Sequence, residues 1–390
     1  MANSQRNKHP LIANRTAFMV IGCLEAAWAP LVPYVKSAFS LDEEALGLLM
    51  LCSGLGSIIS LPVSGWLCMK FGAKQVVYFS GSLMALALLA ISLMVNVWLT
   101  ALMLMIFGGC TISIDVAANI NGVAIEHRTG KHLMSGFHGG YSLGTLIGAG
   151  VMSVLFSLGV VPAWAVALSM VMILAAMMLG CRDLLKKKEL ENANPTTATK
   201  TVKRKRFYIP PMVIVIGLLC FIMYAAEGAV MGWSAIFVSE ERGVDMSVAG
   251  FFYTALAIMM TGMRFLGDKI VDRLGQRRVV VLGALSIAVG FLMVISIPSI
   301  VATALGFALI GMGAANIVPQ FISFASGIKG MAVQNIISIV NALGYSGILL
   351  GPVLIGFVAK HYGLHTSFAA IAVFALVVAL VSAVALKRKI

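Results

Sequence analysis

Three carboxylic acids sit where an acid is costly. Asp115, Glu25 and Glu227 each lie near the middle of a long apolar stretch. An ionised side chain at the centre of a lipid-embedded helix costs about 2.5–3.5 kcal/mol on insertion scales. It persists there when it faces water, a solute or a partner. Asp115 stands eleven residues before Glu126, so it lies about 16 Å from the helix end that Glu126 marks. At a helical 100° per residue, Gly108, Thr111, Asp115, Asn119, Gly122 and Glu126 share one stripe, and the other faces are apolar. A carboxyl at that depth is placed to carry a proton near neutral pH. The alternative is a structural hydrogen bond to another helix. Glu25 is followed by Trp28, Pro30 and Pro33, and Glu227 by Gly228, Gly232 and Trp233. Each acid is a coupling or substrate group, or one half of an interhelical carboxyl–amide bond. Histidine as a residue type has a reference pKa of about 6.5, and His138 either relays protons or donates one structural bond. The proton-coupling candidates are therefore Asp115, Glu25, Glu227 and His138.

Around these acids lie groups suited to a small polar solute. Asn119, Asn316, Gln320 and Asn341 offer amide donors and acceptors. Trp28, Tyr141, Trp233 and Tyr345 offer flat apolar faces with a polar tip. No His, Cys or acid spacing suggests a metal or cofactor site, and no phosphate-binding loop, HExxH or GxSxG motif is present. An enzyme and an ATP-driven pump are thereby disfavoured.

The elements that must hold these residues follow from composition. The chain has 390 residues, 60% hydrophobic and 11% charged, with a mean hydropathy of +0.99. The solvent of such a chain is the bilayer. Each crossing needs about 20 apolar residues, and twelve such spans are expected, near 15–38, 44–69, 75–95, 97–125, 132–158, 162–181, 209–238, 246–268, 278–297, 299–326, 331–359 and 365–386. The expected division is an N-terminal six-helix bundle over 1–181, a flexible linker over 182–208 and a C-terminal six-helix bundle over 209–390. The halves repeat at an offset of about 201–203 residues. Glu25 then matches Glu227, Gly72 matches Gly275, and Asp115 and Asn119 match Asn316 and Gln320. Gly136, Gly140, Gly144 and Gly148 form a smooth ridge on the fifth span, and Gly344, Gly347 and Gly351 form another on the eleventh.

A net charge of +13 raises nucleic acid as a partner, but its distribution argues otherwise. With the spans placed as above, only Lys36, Arg242 and Lys360 of the 28 basic residues fall on the outer side. That is the positive-inside pattern, with both termini cytoplasmic. The six cysteines lie in or beside apolar spans and read as packing residues. The first span has no cleavage site and reads as a helix of the protein, not a removed signal.

The strongest local motif joins the eighth and ninth spans: Arg264-Phe-Leu-Gly267-Asp268-Lys269-Ile-Val-Asp272-Arg273-Leu-Gly275-Gln-Arg277-Arg278. It resembles the short cytoplasmic loop motif of the major facilitator superfamily. Gly275 permits a tight reversal, while Asp268, Asp272, Arg264, Arg273 and Arg277 can pair with neighbouring helix ends. With Glu126 they form the candidate gating set. The first half carries a degraded copy, Gly65-Trp-Leu-Cys-Met69-Lys70-Phe-Gly72-Ala73-Lys74, in which Met69 holds the acid position and Ala73 a basic one. Within the superfamily, Asp115-Val-Ala-Ala-Asn119 resembles an element of fucose-permease-like sugar symporters. The fourth span lacks the mid-helix arginine usual in proton-driven drug antiporters. The resemblance implies an all-α membrane protein of two pseudo-symmetric bundles, and alternating-access transport of a small polar solute, sugar-like and proton-coupled by symport. It further implies a monomer in a bacterial-type inner membrane. Proton-antiport export of a metabolite or drug is the alternative reading, and a non-transporting sensor or scaffold is one of another class.

Overall fold

The computed structural model describes residues 2–130, 133–193, 209–331 and 333–386; of these, the side chains of 2–8, 135, 191–193, 268, 333–335 and 338 lie outside the description. Among the described residues every regular element is helical. The order is α1 (Ala2–Ala26), a 3-10 turn (Ala29–Leu31), α2 (Val32–Ala38), α3 (Glu43–Phe71), α4 (Ala73–Ser92), α5 (Val97–Thr129), α6 (Met134–Ser157) and α7 (Pro162–Gly180). Then follow α8 (Lys187–Ala193), α9 (Pro211–Glu241), α10 (Met246–Leu274), α11 (Gln276–Ser296), α12 (Ile300–Ser326) and α13 (Val333–Ala385).

Two departures from regular helix bring these elements to twelve crossings. The first expected span is broken into α1, the 3-10 turn and α2, because Pro30 and Pro33 supply no N–H to the ladder. The last element, α13, is 53 residues long, well beyond one crossing, and it turns at Gly363, where φ is +82° and ψ 159°. It therefore comprises two spans. Gly72 (φ +90°, ψ 150°) and Gly275 (φ +79°, ψ 150°) make the same kind of turn between α3 and α4 and between α10 and α11. A positive φ at these three positions favours glycine, which has no Cβ to clash.

The repeat extends to the helix caps. Asp42 Oδ1 accepts from the Ala45 N–H at 2.8 Å, and Asp245 Oδ1 from the Ser247 N–H at 2.8 Å. Asn96 Oδ1 accepts from Leu99 N–H at 2.8 Å, and Ser299 Oγ from Ala302 N–H at 3.5 Å. Each satisfies a donor that the first helical turn leaves open.

The chain separates into two compact units. The first contains Met1–Ser40 and Cys52–Val202, and the second Leu41–Leu51 and Lys203–Ile390. Leu41–Leu51 falls with the second unit, unlike the division expected from the sequence. The reason is contact with α13: a Cβ on Gly47 would stand 3.0 Å from the Pro352 carbonyl oxygen, a Cβ on Gly356 would collide with the Glu43 carbonyl, and Lys360 Nζ lies 2.6 Å from Glu44 Oε2 and 3.2 Å from Asp42 Oδ2.

The segment expected as a flexible linker differs too. Its first part is folded against the first unit. Leu184, Leu185 and Leu190 are buried, and the Leu185 N–H donates to Asn121 Oδ1 at 3.0 Å, while Asn121 Nδ2 donates to Asn14 Oδ1 at 3.0 Å. Glu189 accepts from the Lys186 N–H at 2.8 Å and pairs with Arg128 at 3.5 Å. The rest of that expected linker, from 194 to 208, lies outside the described residues, as does the basic tail at 387–390.

Candidate functional site

In the first unit the site is set by how closely α1 and α6 approach. The glycine ridge of α6 lies directly on α1. A Cβ on Gly140 would stand 2.9 Å from the Arg15 carbonyl oxygen, and Cβ atoms on Gly144 and Gly148 would collide with the carbonyls of Met19 and Cys23. The backbones therefore touch without intervening side chains. This approach brings Glu25 on α1 to Tyr141 on α6, whose hydroxyl donates to Glu25 Oε2 at 2.8 Å. Phe18 stacks on Phe137 and tilts against His138, with ring centroids 6.0 and 4.9 Å apart. His138 is exposed, and Glu25 and Tyr141 are half-buried.

Asp115 and Asn119 form a second polar group on α5. Asn119 Nδ2 donates to the Asp115 carbonyl at 2.9 Å, which sets the Asn119 side chain beside the Asp115 carboxyl. Both residues are half-buried. The ends of the expected polar stripe are taken up by packing. Gly108 lies against the Ser53 backbone of α3, and Gly122 against Asn14 and Phe137. Ser57 Oγ donates to the Gly108 carbonyl at 2.9 Å, and Ser64 and Ser113 share a buried hydrogen bond of 2.8 Å, so α3 and α5 are joined by hydroxyls. Only the middle of the stripe, around Thr111, Asp115 and Asn119, remains open. Glu126 was expected in the gating set; here its Oε1 accepts from the backbone N–H groups of Leu133 and Met134, at 3.0 Å for the latter, and so caps the start of α6.

The second unit repeats the design with other side chains. Gly347 of α13 lies on the Phe221 carbonyl of α9, and Gly351 on Ala225. This contact stacks Tyr224 on Tyr345, with centroids 5.3 Å apart and planes at 28°. Tyr224, Glu227 and Arg264 lie within electrostatic reach of one another. Arg264 was expected beside the gating loop. It stands ten residues before the end of α10 at Leu274, about 15 Å along the helix, and its Nε donates to the Ala315 carbonyl at 3.4 Å. The second unit thus holds an intramembrane cation that a loop reading misses; its distance from Gly275 was the available signal. Asn316 Nδ2 donates to the Met263 carbonyl at 2.9 Å, which fixes α12 to α10. Gln320 and Asn341 are half-buried, and Tyr345 is exposed.

The two tryptophans expected to offer open faces do not do so here. Trp28 is 7% exposed and Trp233 0%; large indoles at these depths fill the packed interior instead. In the loop motif, Asp272 and Arg273 are exposed, Arg277 Nη2 donates to the Ala383 carbonyl, and Gln276 Nε2 to Ser323 Oγ at 2.8 Å. The side chain of Asp268 lies outside the described residues. Among the described residues no group of three His, Cys, Asp or Glu is placed to hold a metal ion.

Two helical bundles built on one plan, each with half-buried polar groups at mid-span, define a polytopic membrane carrier. The chain belongs to the Major Facilitator Superfamily, whose family model matches residues 16–334. It is a multi-pass membrane transport protein and not an enzyme. It is 38% identical over 369 residues to an uncharacterised transporter of this superfamily from Yersinia pestis, covering 94% of each chain. It is 27% identical over 367 residues to the membrane protein MosC of Rhizobium meliloti, covering 94% of this chain and 87% of that one. Among solved structures the fold matches a mutant of the nucleoside transporter NupG (TM-score 0.77, 13% identity, 97% of this chain and 100% of that one). It also matches the xylose transporter XylE from E. coli in a partially occluded inward-open conformation (TM-score 0.74, 13% identity, 98% and 100%).

Proposed function

We propose that this protein is a proton-coupled symporter of a small, hydroxyl-rich, sugar-like solute, working by alternating access as a monomer in a bacterial inner membrane with both termini cytoplasmic. The observation that carries the reading is the pair of half-buried carboxyls in the first unit, Glu25 bonded to the Tyr141 hydroxyl and Asp115 with the Asn119 amide beside it. A carboxyl bonded to a hydroxyl, or lying beside an amide, can change charge and keep that neighbour as a partner. Protonation converts its oxygen from acceptor to donor, and the neighbouring hydroxyl or amide oxygen then accepts. In the proposed cycle Asp115 or Glu25 takes a proton from the outer side. The neutral group then lets a solute bind beside Asn119 and Tyr141 in the first unit, with Gln320, Asn341 and Tyr345 as the candidate solute groups of the second, and the proton leaves inward after the change of access. The loop at Asp272, Arg273 and Gly275 stabilises one end state. The second unit's Glu227 and Arg264 already sit near one another, which makes Glu227 a secondary coupling group. The amide and tyrosine chemistry favours neutral polyhydroxylated solutes.

The test is solute-driven proton movement in proteoliposomes. Addition of a transported sugar should draw protons in with the solute. Opposite movement would replace symport with antiport, and none with any solute would refute proton coupling. Asp115→Asn should abolish uphill uptake while leaving exchange of solute for solute. Unchanged concentrative uptake would exclude Asp115 as the coupling acid.

A further inference from the structure

The degraded loop motif of the first unit leaves a question that transport does not answer: what Lys70 does. Lys70 lies in the last turn of α3. Its Nζ stands 4.7 Å from the ring centroid of Trp66 and 5.2 Å from that of Phe71, and the two rings meet edge to face at 6.4 Å. Among the described residues no carboxylate pairs with it. Ile59, Val63, Trp66 and Lys70 recur at the spacing of one helix face. The first three are 60%, 46% and 50% exposed. The result is an open apolar stripe ending in an ammonium group. At 29 residues α3 is about 43 Å long, longer than the roughly 30 Å hydrocarbon core, so its last turn lies among headgroups.

The docked linker brings more positive charge to the same place. Lys187 packs on the turn at Gly72, where a Cβ would stand 3.1 Å from the Lys187 Cβ, and its Nζ donates to the Lys70 carbonyl at 3.3 Å. Lys74 Nζ donates to the Arg182 carbonyl at 2.5 Å. Lys186 and Lys188 are exposed alongside. Among the described acids nearby, Asp183 pairs with Arg182 at 3.5 Å and His9 at 3.6 Å, and Glu189 with Arg128 at 3.5 Å.

We propose that the end of α3 and the docked linker together bind one anionic phospholipid, with an acyl chain along Ile59, Val63 and Trp66 and the phosphate held by Lys70 and Lys187. The stripe fits a hydrocarbon chain, the ring-held ammonium marks the depth of the headgroup, and basic side chains outnumber acidic ones around it. A lipid held there ties α3 to the linker, where the loop motif of this half lacks its acid.

The experiment uses the purified full chain in detergent, titrated with phosphatidylglycerol, phosphatidylcholine of the same acyl composition, or glycerophosphate. The apparent unfolding temperature is read at each concentration. Phosphatidylglycerol should stabilise at lower concentration than phosphatidylcholine, and glycerophosphate should have no effect. Each juxtamembrane lysine contributes about fivefold to the affinity for an anionic surface. Lys70→Gln with Lys187→Gln should therefore raise the half-saturating concentration by roughly 25-fold, and Lys70→Arg should restore its share. Equal effects of the two lipids, stabilisation by glycerophosphate, or an unshifted titration in the double variant would overturn the site. Should the double variant not fold, the unmodified protein decides. Brominated phosphatidylglycerol should quench Trp66 emission, read as the difference from Trp66→Phe, at lower mole fraction than brominated phosphatidylcholine; equal quenching overturns the proposal.

Discussion

Alanine at Gly144 tests whether the contact between α1 and α6 builds the Glu25–Tyr141 pair. The added Cβ would collide with the Met19 carbonyl and stand 3.0 Å from the Cys23 backbone nitrogen. Both obstacles are backbone, so no side chain can swing away and the helices must part by about 1 Å. Overpacking of this kind costs about 1–3 kcal/mol, while alanine's higher helix propensity returns up to about 1 kcal/mol. Gly65 provides the internal control. It lies within α3, and a Cβ there meets nothing within 4 Å, so Gly65→Ala keeps the propensity gain alone. The two variants should differ by the overpacking term, about 1–3 kcal/mol, or several degrees in apparent unfolding midpoint at about 2–4 °C per kcal/mol. Parting the helices also stretches the 2.8 Å bond between Tyr141 and Glu25, so Gly144→Ala should lose solute uptake in proteoliposomes and Gly65→Ala should keep it. Equal midpoints with equal uptake would refute the view that this ridge sets the geometry of the acid.

Other expectations follow from single contacts. Asn121→Ala strands the buried Leu185 N–H and the Asn14 side chain, at about 1–3 kcal/mol for each unsatisfied group; a destabilised first unit and easier proteolysis after Cys181 should be seen. The Ser247 hydroxyl and backbone N–H hold the Asp245 carboxyl below its usual range, so its cap on α10 is intact above the ordinary aspartate range and is lost as pH falls through the lowered value. Asp245→Asn should flatten that acid limb of the stability curve and leave neutral pH little changed. Asp272→Asn should alter the balance of end states, read as changed labelling of cysteines introduced near the ends of α10 and α11; identical labelling would discard that role for the loop.

The sequence carried much of this plan in plain form. The acids at mid-span, the glycine ridges and the turn glycines could be read from spacing, because helical period and lipid depth act locally. Partners could not. Glu126 carried the charge of a gating residue, yet it bonds backbone across a turn, and no side-chain pattern announces that. Arg264 opens the loop motif in sequence, yet counting back from Gly275 places it deep in the helix. Trp28 and Trp233 showed their depth but not their facing, since a packed interior and an open lining use the same residue types. Asn316 matched Asp115 by offset and serves instead to bond α12 to α10. The basic run after Cys181 hid Leu184 and Leu185, whose burial needs the surface formed by Asn14 and Asn121, residues far away in the chain.

That docked stretch also resets a length. Because the first unit holds the chain as far as α8, which ends at Ala193, and α9 begins at Pro211, only residues 194–210 of the sequence separate the last helix of the first unit from the first helix of the second. A protein made as two separately expressed pieces should therefore reassemble best when cut after Ala193; a cut at Arg182 would leave the docked segment on the wrong fragment.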